Sequence, residues 1–208
     1  MMKRMIYKLL LAAVILGGAC GYGKLRVYEQ AKQTVLQQEI AAKILRFHVV
    51  ANSDGKKDQN VKLLVRDEIG NYIEPLLAQA QNRAQTVSIV ENHLEDICDV
   101  AEQVLSDNGC SYGATATVSV VSFPEKTYGS YTFEEGEYLA LQVKLGEAKG
   151  HNWWCVLYPN MCFRGSVYEA ESKDAKAALQ EVLSPEEYEA VLREGDYQVR
   201  FKFLEYFR

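Results

Sequence analysis

The sequence predicts an α+β fold, a single domain over residues 44–208 in which a mostly antiparallel sheet packs against amphipathic helices. Three observations carry this. Apolar residues recur every three or four positions from Val61 to Leu105, then at every second position from Ala116 to Leu145, so a helical period gives way to a strand period. Helical spacing returns between residues 169 and 193, before a last alternating stretch at Tyr197, Val199, Phe201 and Phe203. The resulting order, β-α-α-β-β-β-α-α-β, groups helices and strands into runs instead of alternating them singly. With 48% hydrophobic residues, four prolines and no low-complexity tract, the chain has the material for one folded core.

Ahead of that domain, Lys3, Arg4 and Lys8 precede the apolar run Leu9 to Leu16, and Gly17, Gly18 and Ala19 follow it. This is the three-part pattern of a signal peptide, so residues 1–19 are expected to be a leader or an N-terminal anchor. The run is shorter than the roughly 20 apolar residues of a spanning helix. Cys20 directly after Ala19 raises lipid modification, although Gly17 stands where such signals carry Leu. Residues 20–43 are polar and Gln-rich, a spacer with weak helical spacing at Val27, Ala31, Val35 and Ile40.

The domain opens with "ILRFHVVANS", in which Ile44, Leu45, Phe47, Val49 and Val50 predict a buried strand. Asn52, Ser53 or Asp54 is expected to cap the next helix, whose stripe is Val61, Leu64, Val65, Ile69, Tyr72 and Leu76. Pro75 lacks the N–H that would reach the Asn71 carbonyl, so this helix should end or kink there. A second helix starts at Thr86 or Ser88, carries Val90, Leu94, Ile97, Ala101, Val104 and Leu105, and stops at Asn108-Gly109. His93 has no second His or Cys at ligand spacing, which makes it a surface or core-edge imidazole. "ATATVSVVSF" and "EYLALQVKLG" then alternate as strands around a loop rich in Tyr and Gly that includes Tyr128 and Tyr131. "WWCVLYP" predicts a third strand; two helices follow, the second with Ser184 as N-cap and Pro185 at its first position.

An exported chain meets an oxidising compartment, where thiols tend to pair. Without Cys20, the four remaining cysteines allow three connectivities. Cys155 with Cys162, the nearest pair in sequence, is the expected bridge, and Cys98 and Cys110 then pair or stay reduced. The net charge of −5 becomes −8 once residues 1–19 are gone. An acidic chain without basic blocks offers nucleic acid no electrostatic footprint, and membrane contact is expected only through the N-terminal segment.

The densest cluster of reactive side chains is "KGHNWWCVLYPNMCF", residues 149–163. His151 and Cys155 are four apart, about 13 Å on a strand, with no orienting third residue evident in the sequence, so a secreted thiol hydrolase is an alternative that the spacing supports poorly. Adjacent strand residues face opposite sides, which puts one of Trp153 and Trp154 in the core and the other outward as a partner contact or, alternatively, a cell-wall-binding platform. Asp54 and Asp58 invite a calcium reading, but Gly55 is misplaced for an EF-hand loop. No phosphate loop, zinc spacing or nucleophile elbow is present, so no cofactor, metal or catalytic residue is expected.

Three stretches, "LRFHVVANSDGKKDQNVKLLVRDEI", "FPEKTYGSYTFEEGEYLALQVKLGEAKGHNWWCVLYPNMCF" and "VRFKFLEY", together resemble the stage II sporulation protein R family. The resemblance runs from Ile44 to Phe163 and resumes at the last strand; residues 24–42 and 164–196 carry no part of it. It implies a secreted signalling protein made in the forespore that crosses into the space between forespore and mother cell. There it would activate a mother-cell membrane protease that processes the sigma-E precursor, so the chain is expected to be a ligand and not an enzyme. Trp153, Trp154, Tyr128 and Tyr131 are the expected partner contacts.

Overall fold

The strand β1 (Leu45–Val50) is buried at every position, and the structure is organised around it. The structure, a computed structural model, describes residues 2–161 and 173–192. A helix α1 (Met2–Lys43) precedes β1; the chain divides into two compact units, residues 1–39 and 40–208. Among the described residues no helix is long and apolar enough to cross a membrane.

In the second unit, α2 (Lys56–Leu77), α3 (Arg83–Asn92) and α4 (Leu94–Asp107) follow β1. Then come β2 (Ala114–Phe123), the short β3 (Lys126–Tyr128) and β4 (Tyr131–Phe133), β5 (Gly136–Leu145) and β6 (Asn152–Tyr158). The described elements close with α5 (Lys173–Val182) and α6 (Pro185–Val191). The four-stranded sheet has the order β2-β5-β1-β6, with β1 parallel to β5 and the other two pairings antiparallel. This is the α+β fold that the sequence predicts. The predicted last strand and Cys162 lie outside the described residues.

One sheet face carries Leu45, Phe47, Val49, Leu141, Val143, Leu145, Cys155 and Leu157 against Val61, Val65, Ile69, Ile73 and Leu77 of α2, Val90 of α3, and Ile97, Ala101 and Leu105 of α4. The α2 stripe is therefore rotated from the predicted one. Leu64 is 45% exposed, whereas Lys62 is buried, its ammonium donating to the His151 carbonyl at 3.0 Å and to Gln59 Oε1 at 2.6 Å. Pro75 falls in the last turn of α2, which ends two residues later as its missing donor requires. The single helix predicted over 86–105 is instead two. Asn82, not Thr86 or Ser88, caps α3 by accepting from Gln85 N–H at 3.0 Å, and the chain turns at His93, whose Nδ1 meets Asp96 and Tyr72 OH at 2.8 and 2.9 Å. Gly109, at φ 61°, ends α4 with Cys110 N–H on the Leu105 carbonyl and Gly109 N–H on that of Ser106, both at 2.9 Å, a Schellman pair. Ser184 caps α6 with a full capping box, as predicted.

The opposite face holds a guanidinium. Arg46 is 0% exposed, with Phe123, Tyr138, Phe133 and Tyr128 rings around its charged carbon at 4.4, 5.0, 5.3 and 5.7 Å. Phe123 and Tyr138 belong to the sheet. Tyr128 and Phe133 come from the β3–β4 hairpin, which turns at Gly129 with φ 57°, a conformation that favours glycine. The predicted aromatic loop is thus a hairpin that roofs this face. Nε donates to the Cys155 carbonyl at 3.2 Å and Nη2 to Tyr128 OH at 3.0 Å, while Nη1 has no hydrogen-bond partner among the described residues. Burial lowers the guanidinium pKa from its usual value, yet arginine stays charged in proteins, so the ring faces supply the stabilisation that a carboxylate would otherwise give.

Removing the hydroxyl in Tyr128→Phe should cost about 1–3 kcal/mol, because a second guanidinium nitrogen loses its partner in a dry site. In an Arg46→Met background the same change should cost close to nothing, since no buried donor is then stranded. Urea unfolding of the four proteins of this cycle measures the coupling; equal costs in both backgrounds would show that the hydroxyl does not serve Arg46.

Candidate functional site

Parallel pairing sends β1 and β5 out at the same end of the sheet, where open α/β sheets place their ligand loops. The loops that leave them, residues 51–55 and 146–151, are bound to each other. Lys149 and Gly150 N–H groups donate to the carbonyls of Asn52 and Ala51 at 3.1 and 2.9 Å, and Asn52 Oδ1 accepts from Glu147 N–H at 2.9 Å. The approach leaves no room for side chains at two glycines. A Cβ on Gly150 would sit 2.2 Å from the Ser53 carbonyl oxygen, and one on Gly146 2.2 Å from Asn52 Oδ1. Ala148 takes a left-handed φ of 51°, a strain of about 1–2 kcal/mol for a residue with a Cβ, held in place by the bonds on either side.

Side chains complete this clasp. Asp58, in the first turn of α2, accepts from Asn52 at 2.8 Å, Ser53 at 2.6 Å and Tyr112 OH at 2.7 Å, and the bonds from Ser53, Tyr112 and Asn52 hold its carboxyl below the usual range. Gln59 donates to the Ser53 carbonyl at 3.0 Å. Asp54 accepts from His151 N–H at 2.6 Å and pairs with His151 Nδ1, and these bonds lower its pKa in the same way. Asn52, Ser53 and Asp54 therefore do not cap α2, whose N-cap is Gly55 with no side-chain bond. They tie two loops together. Asp54 and Asp58 face different partners and do not converge on a common point.

The outward part of the clasp is His151, with 82% of its side chain exposed. Next to it in sequence, Trp153 and Trp154 alternate across β6 as predicted, but each is half-buried instead of one being core and one free, because both faces of this edge strand are covered. Trp153 packs edge-on to Phe47 at 5.4 Å with Arg66 over its ring at 5.1 Å. Trp154 stacks on His48 at 4.9 Å, meets Phe123 at 4.6 Å and carries Lys126 at 5.8 Å. Tyr128 and Tyr131, at 8% and 4% exposure, face inward; Tyr131 OH bonds Tyr188 OH at 3.1 Å. Their expected role as partner contacts is corrected to one in the interior, since the hairpin turns its tyrosines down onto the sheet.

His151 has the orienting acid that the sequence did not reveal, Asp54, but Cys155 is 1% exposed and disulfide-bonded, so the thiol-hydrolase alternative lacks its nucleophile and not its base. Cys98 and Cys110 are free thiols. What remains on this surface is an exposed imidazole beside two half-buried tryptophans. The sequence signal that could have exposed it was the pairing of "NSDG" after one strand with "GEAKGH" between two others.

Residues 41–168 match the family described as stage II sporulation protein R (spore_II_R), a range that includes the whole clasp, both tryptophans and the Arg46 cage. The chain belongs to this family, whose name places it in sporulation. It is 31% identical over 136 residues to stage II sporulation protein R of Bacillus subtilis (strain 168), an alignment covering 63% of this chain and 61% of that protein. The chain thus spans about three fifths of the length of that curated relative. No solved structure matches.

Two predictions test this region. Gly150→Ala should destabilise the protein by about 1–3 kcal/mol through overpacking, visible as a lower urea midpoint, whereas Gly23→Ala, with nothing within 4 Å of the added Cβ, should not. His48, under Trp154, has its pKa lowered to about 4, first by burial and then by Lys144 and Arg46. Between the unfolded value near 6.5 and that lower value only the unfolded chain takes up the proton, so stability falls as pH drops through this window. From pH 7 to pH 5 the loss should be about 2 kcal/mol, and His48→Gln should abolish that part of the slope in urea titrations.

Proposed function

We propose that this chain is an exported sporulation signal: made in the forespore, it crosses into the space between the two cells and activates the mother-cell membrane protease that processes the sigma-E precursor. The observation that carries the proposal is the family match over residues 41–168, and the leader-like first 19 residues support export independently. The clasp fits such a ligand. It presents His151 from a loop with no room for a Cβ at Gly146 or Gly150, beside Trp153 and Trp154 on β6, and buried or half-buried aromatic anchors are the residues that concentrate binding energy at interfaces. In this reading Cys162 is the partner of the Cys155 disulfide.

The test is reconstitution. The full chain, produced with the membrane protease and the sigma-E precursor in a host that does not sporulate, should yield processed sigma factor, and His151→Ala with Trp153→Ala should reduce the yield while the secreted chain remains abundant. Absence of processing, with the chain shown folded and exported, would refute the proposal.

A further inference from the structure

Strand β2 lies at the edge of the sheet. Its ten residues, "ATATVSVVSF", contain no charge, no proline and no glycine, and its register with β5 is unbroken from Ala114 to Phe123. Edge strands of soluble proteins are usually blunted by a lysine, a proline, a bulge or a covering element. Here, among the described residues, only the first third is covered. Gly113 accepts from Gly146 N–H across the ladder at 2.9 Å, so the odd-numbered residues turn their backbone groups toward β5 and the even-numbered ones turn outward. Ala114 accordingly gives its N–H to Glu102 at 3.3 Å and its carbonyl to the Cys98 thiol at 3.2 Å, both from α4. Beyond the reach of α4, the outward N–H and C=O groups of Val118, Val120 and Ser122 meet no partner among the described residues. Val120 also turns its side chain to solvent at 62% exposure.

We propose that the edge from Thr117 to Phe123 is a docking strand that pairs with an extended segment of a partner protein, apolar or uncharged at its centre and basic at its two ends. The charges around the edge select this occupant. Asp99 and Glu102 of α4 stand near its Ala114 end, and Glu135 and Glu137 near its Phe123 end, Glu137 opposite Ser122. Two lysines share these ends, Lys126 near Phe123 with its ammonium over Trp154 and Lys144 on β5 opposite Thr115, as Glu137 is opposite Ser122, and the acids outnumber the lysine at each end. A second copy, paired antiparallel by a two-fold axis, would set the acids of α4 against Glu135 and Glu137 of its mate. A strand with lysine or arginine at each end would meet acids at both. Main-chain pairing supplies the affinity in this mode of recognition, and Val120 supplies an apolar contact on one face. The identity of the partner as the membrane protease rests on the functional proposal above; the competence of the edge does not.

The position of Val120 permits a selective variant. Its N–H points outward, so Val120→Pro removes a docking donor without removing a bond to β5, and Val120→Lys places a charge at the centre of the edge with the backbone intact. Both should fold, with melting temperatures close to that of the native chain. The probe is a synthetic peptide of alternating threonine and valine with a lysine at each end, and binding is followed by amide shifts of the full chain. Native protein should bind it with shifts centred on Val118, Val120 and Ser122, and both variants should bind about tenfold or more weakly, the equivalent of one or two lost main-chain bonds. No binding by the native chain, binding unchanged in the folded variants, or a concentration-dependent dimer that Val120→Lys abolishes would each overturn the proposal. In the reconstituted processing assay, native chain that is active beside folded variants that are not supports the edge as the protease contact, and equal activity removes that assignment. Inactivity of the native chain would count against the functional proposal, leaving the peptide measurement to judge the edge.

Discussion

The parallel register of β1 with β5, Arg46 to Val50 beside Ala140 to Lys144, is the constraint on which the rest of this structure depends. It makes β1 central, so both of its faces must be covered: one by α2 to α4, the other by the hairpin and its aromatic rings. It also brings two strand ends out side by side. In an all-antiparallel sheet the loop after β1 and the loop after β5 would leave from opposite ends, and Asn52 could not reach Glu147. The clasp is therefore a consequence of topology before it is a consequence of polar chemistry.

The two sides of β1 solve burial differently. Toward the helices, aliphatic side chains close a dry core in which area removed from water is the stabilising term. On the other side Arg46 and His48, two residues apart and so on the same face, are buried with no carboxylate partner among the described residues. Each is matched to aromatic faces, Arg46 to four rings and His48 to the stacked Trp154. The chemistry suits each charge state: a guanidinium that cannot shed its proton takes the electron-rich ring faces, and an imidazole held neutral lies flat on an indole. The hairpin is tied to this layer by the Tyr128 hydroxyl on the Arg46 guanidinium as well as by its buried aromatic rings.

Much of this was legible in the sequence and some was not, for physical reasons. Periodicity found the four strands of the main sheet, and Asn108-Gly109 and the Ser184-Pro185 pair marked the end of α4 and the start of α6, because these are local effects of backbone sterics and capping. The break at His93 escaped periodicity because Leu94 continues the apolar spacing across it; the junction is marked by the side-chain bonds of Tyr72 and Asp96 to His93. Asn52, Ser53 and Asp54 looked like caps since that is their commonest local use, yet Asn52 and Asp54 find partners about 95 residues away, at Glu147 and His151, while Ser53 turns onto Asp58. Likewise Arg46 stood within an apolar run with no visible counter-charge, and nothing local says that four aromatic rings from four different strands will surround it. Long-range pairing was the part that one sequence could not supply.

Loops of this length usually loosen before the elements that they join. Here the backbone of one is hydrogen-bonded to the backbone of the other, and two glycines let them approach until no Cβ fits. The result is a surface that is solvent-facing without being soft. The order of these loops is set by bonds made on folding, so the backbone entropy of holding His151 in place is spent once, when the chain folds.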